Sequence, residues 1–243
     1  MKILAQCFTL IFCSFLLLLP DLALANSKFQ TSSELTTLYR AARKVISQNQ
    51  AHINKPDIGD KGLSGKAVAK TALDNYEKVT GTKLNMGSLT PPQQAMVDAV
   101  MSVMDENQDL INEQGVGFKG FLPAIFARQV ANKFNANMNG KMTIKLTAPK
   151  KYVRNRANRP DKWEHNIIET MFSDASYEKG KAFSEQASVK GKPAFRFILP
   201  EYYGPSCLSC HGTPKGERDI TGGKKEGGVL NELGGAISLI IFE

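Results

Sequence analysis

Cysteine and histidine are both scarce in this chain, and tryptophan occurs once. Of the four cysteines, Cys7 and Cys13 fall within the first 25 residues, which leaves Cys207 and Cys210 for all that follows. The histidines are His52, His165 and His211. So small a set excludes a disulfide framework, which needs several pairs. It also falls short of a structural zinc site, which takes four ligands, usually as two separated pairs. Long apolar runs are missing too. After residue 25 nothing approaches the roughly 18 unbroken apolar residues of a membrane span, and the most apolar stretch, 234-GGAISLIIFE-243, has the length of a strand. Nothing marks a nucleic-acid partner. The formal charge is +8. Concentrated on one face it favours acidic partners or anionic surfaces; scattered, it only solvates the surface.

The opening MKILAQCFTLIFCSFLLLLPDLALA has a basic start at Lys2, an apolar run from Ile3 to Leu19 and a small-x-small end at Ala23-Leu24-Ala25. That order is the n-region, h-region and cleavage site of a secretory signal, with an uncleaved anchor as the alternative. Residues 1–25 are read as a signal peptide. The expected product is exported, periplasmic in a host with two membranes, and without a membrane span in its mature chain.

Residues 33–53 place Leu35, Leu38, Ala42, Val45 and Ile46 at helical spacing, with Ser33 as the expected N-cap. A Gly/Asp/Pro loop (54–65) leads to a second helix from about Ser64 to Val79. A third, opened by 90-TPPQQ-94, runs to about Ile111, and a fourth covers Phe121–Asn137. The pattern then changes. Met142–Ala148 alternates like a strand, 154-RNRANRPDKWEHNIIETMF-172 reads as a turn and a helix starting near Pro160, and 180–189 with 193–200 form a hairpin around 190-KGK-192. The chain is expected to be α+β, with an antiparallel sheet in its C-terminal half (116–243) and a helical extension over 26–115.

The stretch 207-CLSCH-211 concentrates the chemistry. A thiol–disulfide couple is chemically sound for C-x-x-C, but thioredoxin-like motifs sit after an early strand at a helix start. This one sits late, among prolines and glycines, on an expected loop. A haem-c attachment gives every residue a purpose. Cys207 and Cys210 add to the two vinyl groups of one haem, and His211 coordinates its iron from the same turn. A structural disulfide or redox pair is the alternative. Tyr202, Tyr203, Phe195, Phe197 and Leu208 are candidates to pack a porphyrin, with ordinary sheet core as the plainer role for the two phenylalanines.

Two stretches, 154-RNRANRPDKWE-164 and 207-CLSCHG-212 with the closing 234-GGAISL-239, resemble the family of bacterial periplasmic haem-c proteins and sensor domains with a PAS-like fold. That family includes a cyanobacterial single-haem protein of unknown physiological role. The resemblance spans roughly 117–243 and implies an antiparallel sheet of about five strands flanked by helices, with the haem near its end. Carried over by position, Cys207 and Cys210 become the thioether residues and His211 the proximal ligand. The unusual cysteine that serves as second ligand in the cyanobacterial relatives has no counterpart. It would fall near Phe121, and no cysteine is spare. His52, at the end of an amphipathic helix, is taken as the candidate sixth ligand. His165, Met101, Met104, Met138 and Met142 are the other side chains able to ligate, and a vacant position lined by Phe121, Leu122 and Ile125 is the alternative.

Ligation decides function. Two protein ligands suit one-electron transfer, whereas an open position admits a diatomic ligand such as NO, CO or O2 and suits sensing. With no span or signalling region after Glu243, a sensor would need a separate partner. The expectation is a single-haem c-type protein acting as redox carrier or as redox- or ligand-responsive module, with an acidic redox partner or a homodimer as the alternative assemblies. A peroxidase-like enzyme is the third class, and no distal base marks one.

Overall fold

The computed structural model describes residues 19–243, so the signal-peptide expectation lies largely outside the described residues. Helix α1 (Leu19–Gln48) carries the apolar face foreseen above: Leu35, Leu38, Ala42, Val45 and Ile46 are all buried. It starts well before Ser33, which therefore sits inside the helix instead of capping it. Nearby, the hydroxyls of Ser32 and Thr36 donate to the carbonyls of Lys28 and Ser32 at 2.8 Å each, which satisfies them within a helix. Helix α2 (Gly65–Thr80) starts where expected, with Ser64 Oγ accepting from Ala67 N, and ends on Gly81 in the left-handed region. At the start of helix α3 (Pro91–Glu106), Thr90 N donates to Gln93 Oε1 at 2.9 Å. The helix expected to reach Ile111 breaks at Asn107, whose side-chain amide donates back to Val103 O at 2.7 Å, and restarts as Gln108–Asn112. Helix α4 (Pro123–Asn137) opens on proline, whose missing N–H is not needed in a first turn.

Four strands follow: β1 (Met142–Thr147), β2 (Phe183–Val189), β3 (Lys192–Tyr202) and β4 (Leu233–Phe242). They form one antiparallel sheet in the order β1-β4-β3-β2. Between β1 and β2 lies helix α5 (Lys162–Asn166), which continues as a π-helical turn, Ile167–Phe172. The β2–β3 hairpin turns on Lys190 (φ 54°) and Gly191 (φ 79°), the left-handed pair that a tight two-residue turn requires. The sheet has four strands among the described residues, not the five that the resemblance implies. Residues 150–158 after β1 coil into two 3-10 turns, and the glycine-rich span before β4 supplies one isolated bridge, Arg218 to Lys224.

Both faces of the sheet are covered. Phe195, Phe197, Leu199, Ile237 and Leu239 join the residues of α1 to α4 in one continuous core. On the opposite face Ile198 and Ala236 pack with Ile167, Ile168 and Phe172. Burial on both sides explains why β3 reads as a nearly unbroken apolar run instead of alternating. The helices of residues 26–115 thus share the core of the sheet. Among the described residues no helix is long and apolar enough to cross a membrane.

Phe197 sits at the centre of this arrangement, fully buried and in edge-to-face contact with Phe29 of α1 at 5.4 Å. Phe197→Ala is expected to lower stability by about 3–5 kcal/mol, through lost burial and the cavity left behind. Urea denaturation followed by circular dichroism measures it, and a loss below about 1 kcal/mol would show that α1 and the sheet do not depend on each other.

Candidate functional site

After β3 the chain passes Tyr203 and Gly204 and turns at Pro205. Pro205–Cys207 forms a 3-10 turn, with Cys207 N donating to Gly204 O at 3.0 Å, and runs directly into the one-turn helix α6 (Leu208–His211). The motif expected on a loop is therefore helical. That placement sets its chemistry: Cys207, Cys210 and His211 stand at i, i+3 and i+4, so one face carries all three side chains. Both thiols are free and half-buried.

All three residues line one cavity of about 750 Å³, within the range of roughly 300–1,000 Å³ that holds cofactors and large ligands. One wall is the face of α1 bearing Arg40, Arg43, Lys44 and Ser47, and Ser47 Oγ lies 3.2 Å from Ser206 Oγ beside the motif. The start of α4, Leu122 to Ile125 with Arg128, makes a second wall. The end of β1 and the adjoining ends of β3 and β4 complete it.

The imidazole is held from two sides. His211 Nδ1 lies 2.9 Å from Glu226 Oε2, and with that nitrogen donating its proton, Nε2 keeps its lone pair for a ligand role. The ring stacks on Tyr203, with centroids 5.4 Å apart and planes 18° apart. Tyr203 in turn is wedged between two glycines. A Cβ on Gly228 or Gly234 would come within 2.5 and 2.4 Å of its ring carbons, so neither position has room for a side chain. Burial first, and then the neighbouring Glu226 charge, push the Tyr203 phenol up and keep it protonated.

Arg154 fastens this assembly. Its guanidinium donates to the carbonyls of Cys210 and Lys224 and to the carboxylates of Glu226 and Asp219. Partial burial works against its charge, but Glu226 and Asp219 outweigh this and raise its pKa above the ordinary value. The rest of the 154–164 segment does a different job. Glu164, buried, pairs with Lys145 at 2.9 Å, and Arg196 reaches Asp161 at 2.6 Å while lying 4.1 Å from the Trp163 ring centre. One end of the segment grips the site, and the other grips the sheet.

The other candidate ligands lie elsewhere. His52 does not line the cavity; its Nε2 lies 3.1 Å from the carbonyl oxygen of Lys61, in the loop after α1. His165 faces Glu169, 3.8 Å away on its own helical segment. Met104 and Met138 are buried in the core, and Met101 and Met142 pack against it. Phe195, Phe197 and Phe121 are core residues too, whereas Leu122, Ile125, Tyr202 and Tyr203 do line the cavity. Sequence reasoning missed Glu226, whose only trace is a lone carboxylate in 223-GKKEGG-228, and the cationic face of α1. Among the described residues no three His, Cys, Asp or Glu side chains gather as a bare metal ion would require. One imidazole, two free thiols and a wide, largely apolar cavity suit a flat organic cofactor with a single axial donor.

Fold and site together define an α+β protein with a helical C-x-x-C-H turn opening onto a cofactor-sized cavity. The chain belongs to the Tll0287-like family, whose model matches residues 30–241. This is the family of the cyanobacterial single-haem protein, and membership is consistent with a haem cofactor. The match begins inside α1, so it includes the helical residues that the resemblance over 117–243 left out. No curated protein and no solved structure matches the chain.

The acid behaviour of the clamp is testable. Burial opposes charge on Asp219, but hydrogen bonds from Thr221 and Arg154 outweigh it and hold the carboxyl down at about 2. A carboxyl depressed in the fold stabilises it above the unfolded value of about 3.9, and that contribution is lost as pH falls through the folded value. Amide-exchange protection of residues 216–228 is therefore expected to fall between about pH 4 and pH 2. Asp219→Asn should be less protected at neutral pH and lack the step. An identical step in the variant would remove Asp219 from the account.

Proposed function

We propose that this protein is an exported single-haem c-type module. Cys207 and Cys210 would hold the haem through thioether bonds, each S–H adding across one vinyl group with sulfur to one carbon and hydrogen to the other, and His211 Nε2 would hold its iron. The observation that carries this reading is the joint placement of both thiols and an Nδ1-tethered imidazole on one cavity wall. The bound cofactor would supply one-electron chemistry or a site for a small ligand. The fold is read as PAS-like, with residues 116–243 as the haem-c domain and 26–115 as a helical extension whose α1 contributes a wall. Export to the periplasm, where such haems are assembled in bacteria, follows from the signal-like opening.

Between carrier and responsive module, the lining favours the second. Among the described residues, no histidine, methionine or cysteine outside the motif lines the cavity, and these are the side chains that usually close a sixth position. The Glu226 contact has its own part, since a carboxylate on Nδ1 fixes the ring and makes Nε2 a stronger donor.

Spectra of the purified protein test this directly. Denaturation-resistant haem staining is expected in the parent and lost in Cys207→Ala/Cys210→Ala. The ferrous form should bind CO on mixing, and His52→Ala should leave both spectra unchanged. Ferrous protein that stays six-coordinate and ignores CO would return the carrier reading.

A further inference from the structure

The cavity carries more positive charge than its own carboxylates neutralise. Five cations line it, Arg40, Arg43, Lys44, Arg128 and Arg154, against one lining carboxylate, Glu201. Glu201 pairs with both Arg40 and Arg43, and Arg40 also donates to Pro200 O at 3.0 Å. Arg154 is taken by Glu226 and Asp219. Lys44 and Arg128 remain: among the described residues neither has a carboxylate partner or a side-chain hydrogen bond.

These two come from helices far apart in sequence, α1 and α4, which pack together and present both side chains to one cavity. Arg128 is half-buried beside the apolar start of α4. A guanidinium is poorly placed at an apolar wall unless an anion meets it, and its planar fork fits a carboxylate by two parallel hydrogen bonds. Both also lie on elements other than the one that carries the thiols. Haem holds its two propionate carboxylates on the half of the ring away from its vinyl groups, so a ring fixed at Cys207 and Cys210 offers its anionic edge to other walls.

We infer that Lys44 and Arg128 are a carboxylate-binding pair that receives the propionates. This rests on the haem reading above and adds to it the recognition of a dicarboxylate porphyrin over a neutral one. The two residues position the cofactor and take no part in its attachment.

The test uses the full mature chain with Cys207→Ala/Cys210→Ala, titrated with ferric protoporphyrin IX and with its dimethyl ester. The diacid should bind more tightly than the diester, by about tenfold or more for each charge-assisted contact. Adding Lys44→Gln and Arg128→Gln should close that gap, and Lys44→Arg with Arg128→Lys should restore most of it. Circular dichroism matching the parent, and diester binding that stays unchanged, separate loss of the pair from loss of folded material. Equal binding of diacid and diester by the parent would overturn the inference and leave the haem reading standing. Failure of either porphyrin to bind, together with exported protein that carries no haem, would overturn both.

Discussion

One guanidinium ties the site to the rest of the fold. Arg154 lies between the two 3-10 turns that follow β1, yet its donors reach the carbonyl of Cys210 and the carboxylate of Glu226. It therefore fixes the helical turn that presents the thiols and the acid that orients His211. The segment it begins is anchored at its far end by Trp163 and Glu164, through Arg196 on β3. Removing one partner of such a partly buried pair leaves the other as an uncompensated charge, so the contacts hold one another in place. The sheet, the turn and the glycine-rich span are thereby held in one register.

The second constraint is steric. His211 is backed by Tyr203, and Tyr203 fits only because Gly228 and Gly234 present bare backbone to its ring. The main chain reinforces this: Gly228 N donates to His211 O at 2.8 Å, and Asn231 N to Tyr203 O at 2.9 Å. A span that looks like flexible linker in composition is thus the rear wall of the imidazole. Fixing the ring before a ligand arrives lowers the ordering cost of binding, and the same logic governs second-sphere partners in metal proteins generally.

Local signals in the sequence were informative wherever the cause was local. The buried stripe of α1, the start of α2 near Ser64 and the Lys190–Gly191 turn each follow from spacing or from one residue's conformational preference. The grouping of Cys207, Cys210 and His211 was legible for the same reason, since the three are neighbours along the chain. Its geometry was not: glycines and prolines around the motif suggested a loop, whereas Pro205 opens a helical turn and Gly212 closes it. His52 failed as a cavity residue because helical spacing cannot tell which way the chain turns after α1, and there its ring meets the backbone of Lys61. Glu226 meets His211, and Lys44 and Arg128 reach the cavity, only through tertiary packing, so no pattern along the chain announces them.

Covalent attachment at the two thiols is the central claim. Intact-mass spectrometry of the exported protein, produced beside a working haem-c maturation system, measures it directly. The predicted species is the mature polypeptide plus one haem, with the added mass retained on unfolding and located by digestion to the peptide holding Cys207 and Cys210. A bare polypeptide of mature length, or haem that leaves on unfolding, would contradict the central claim.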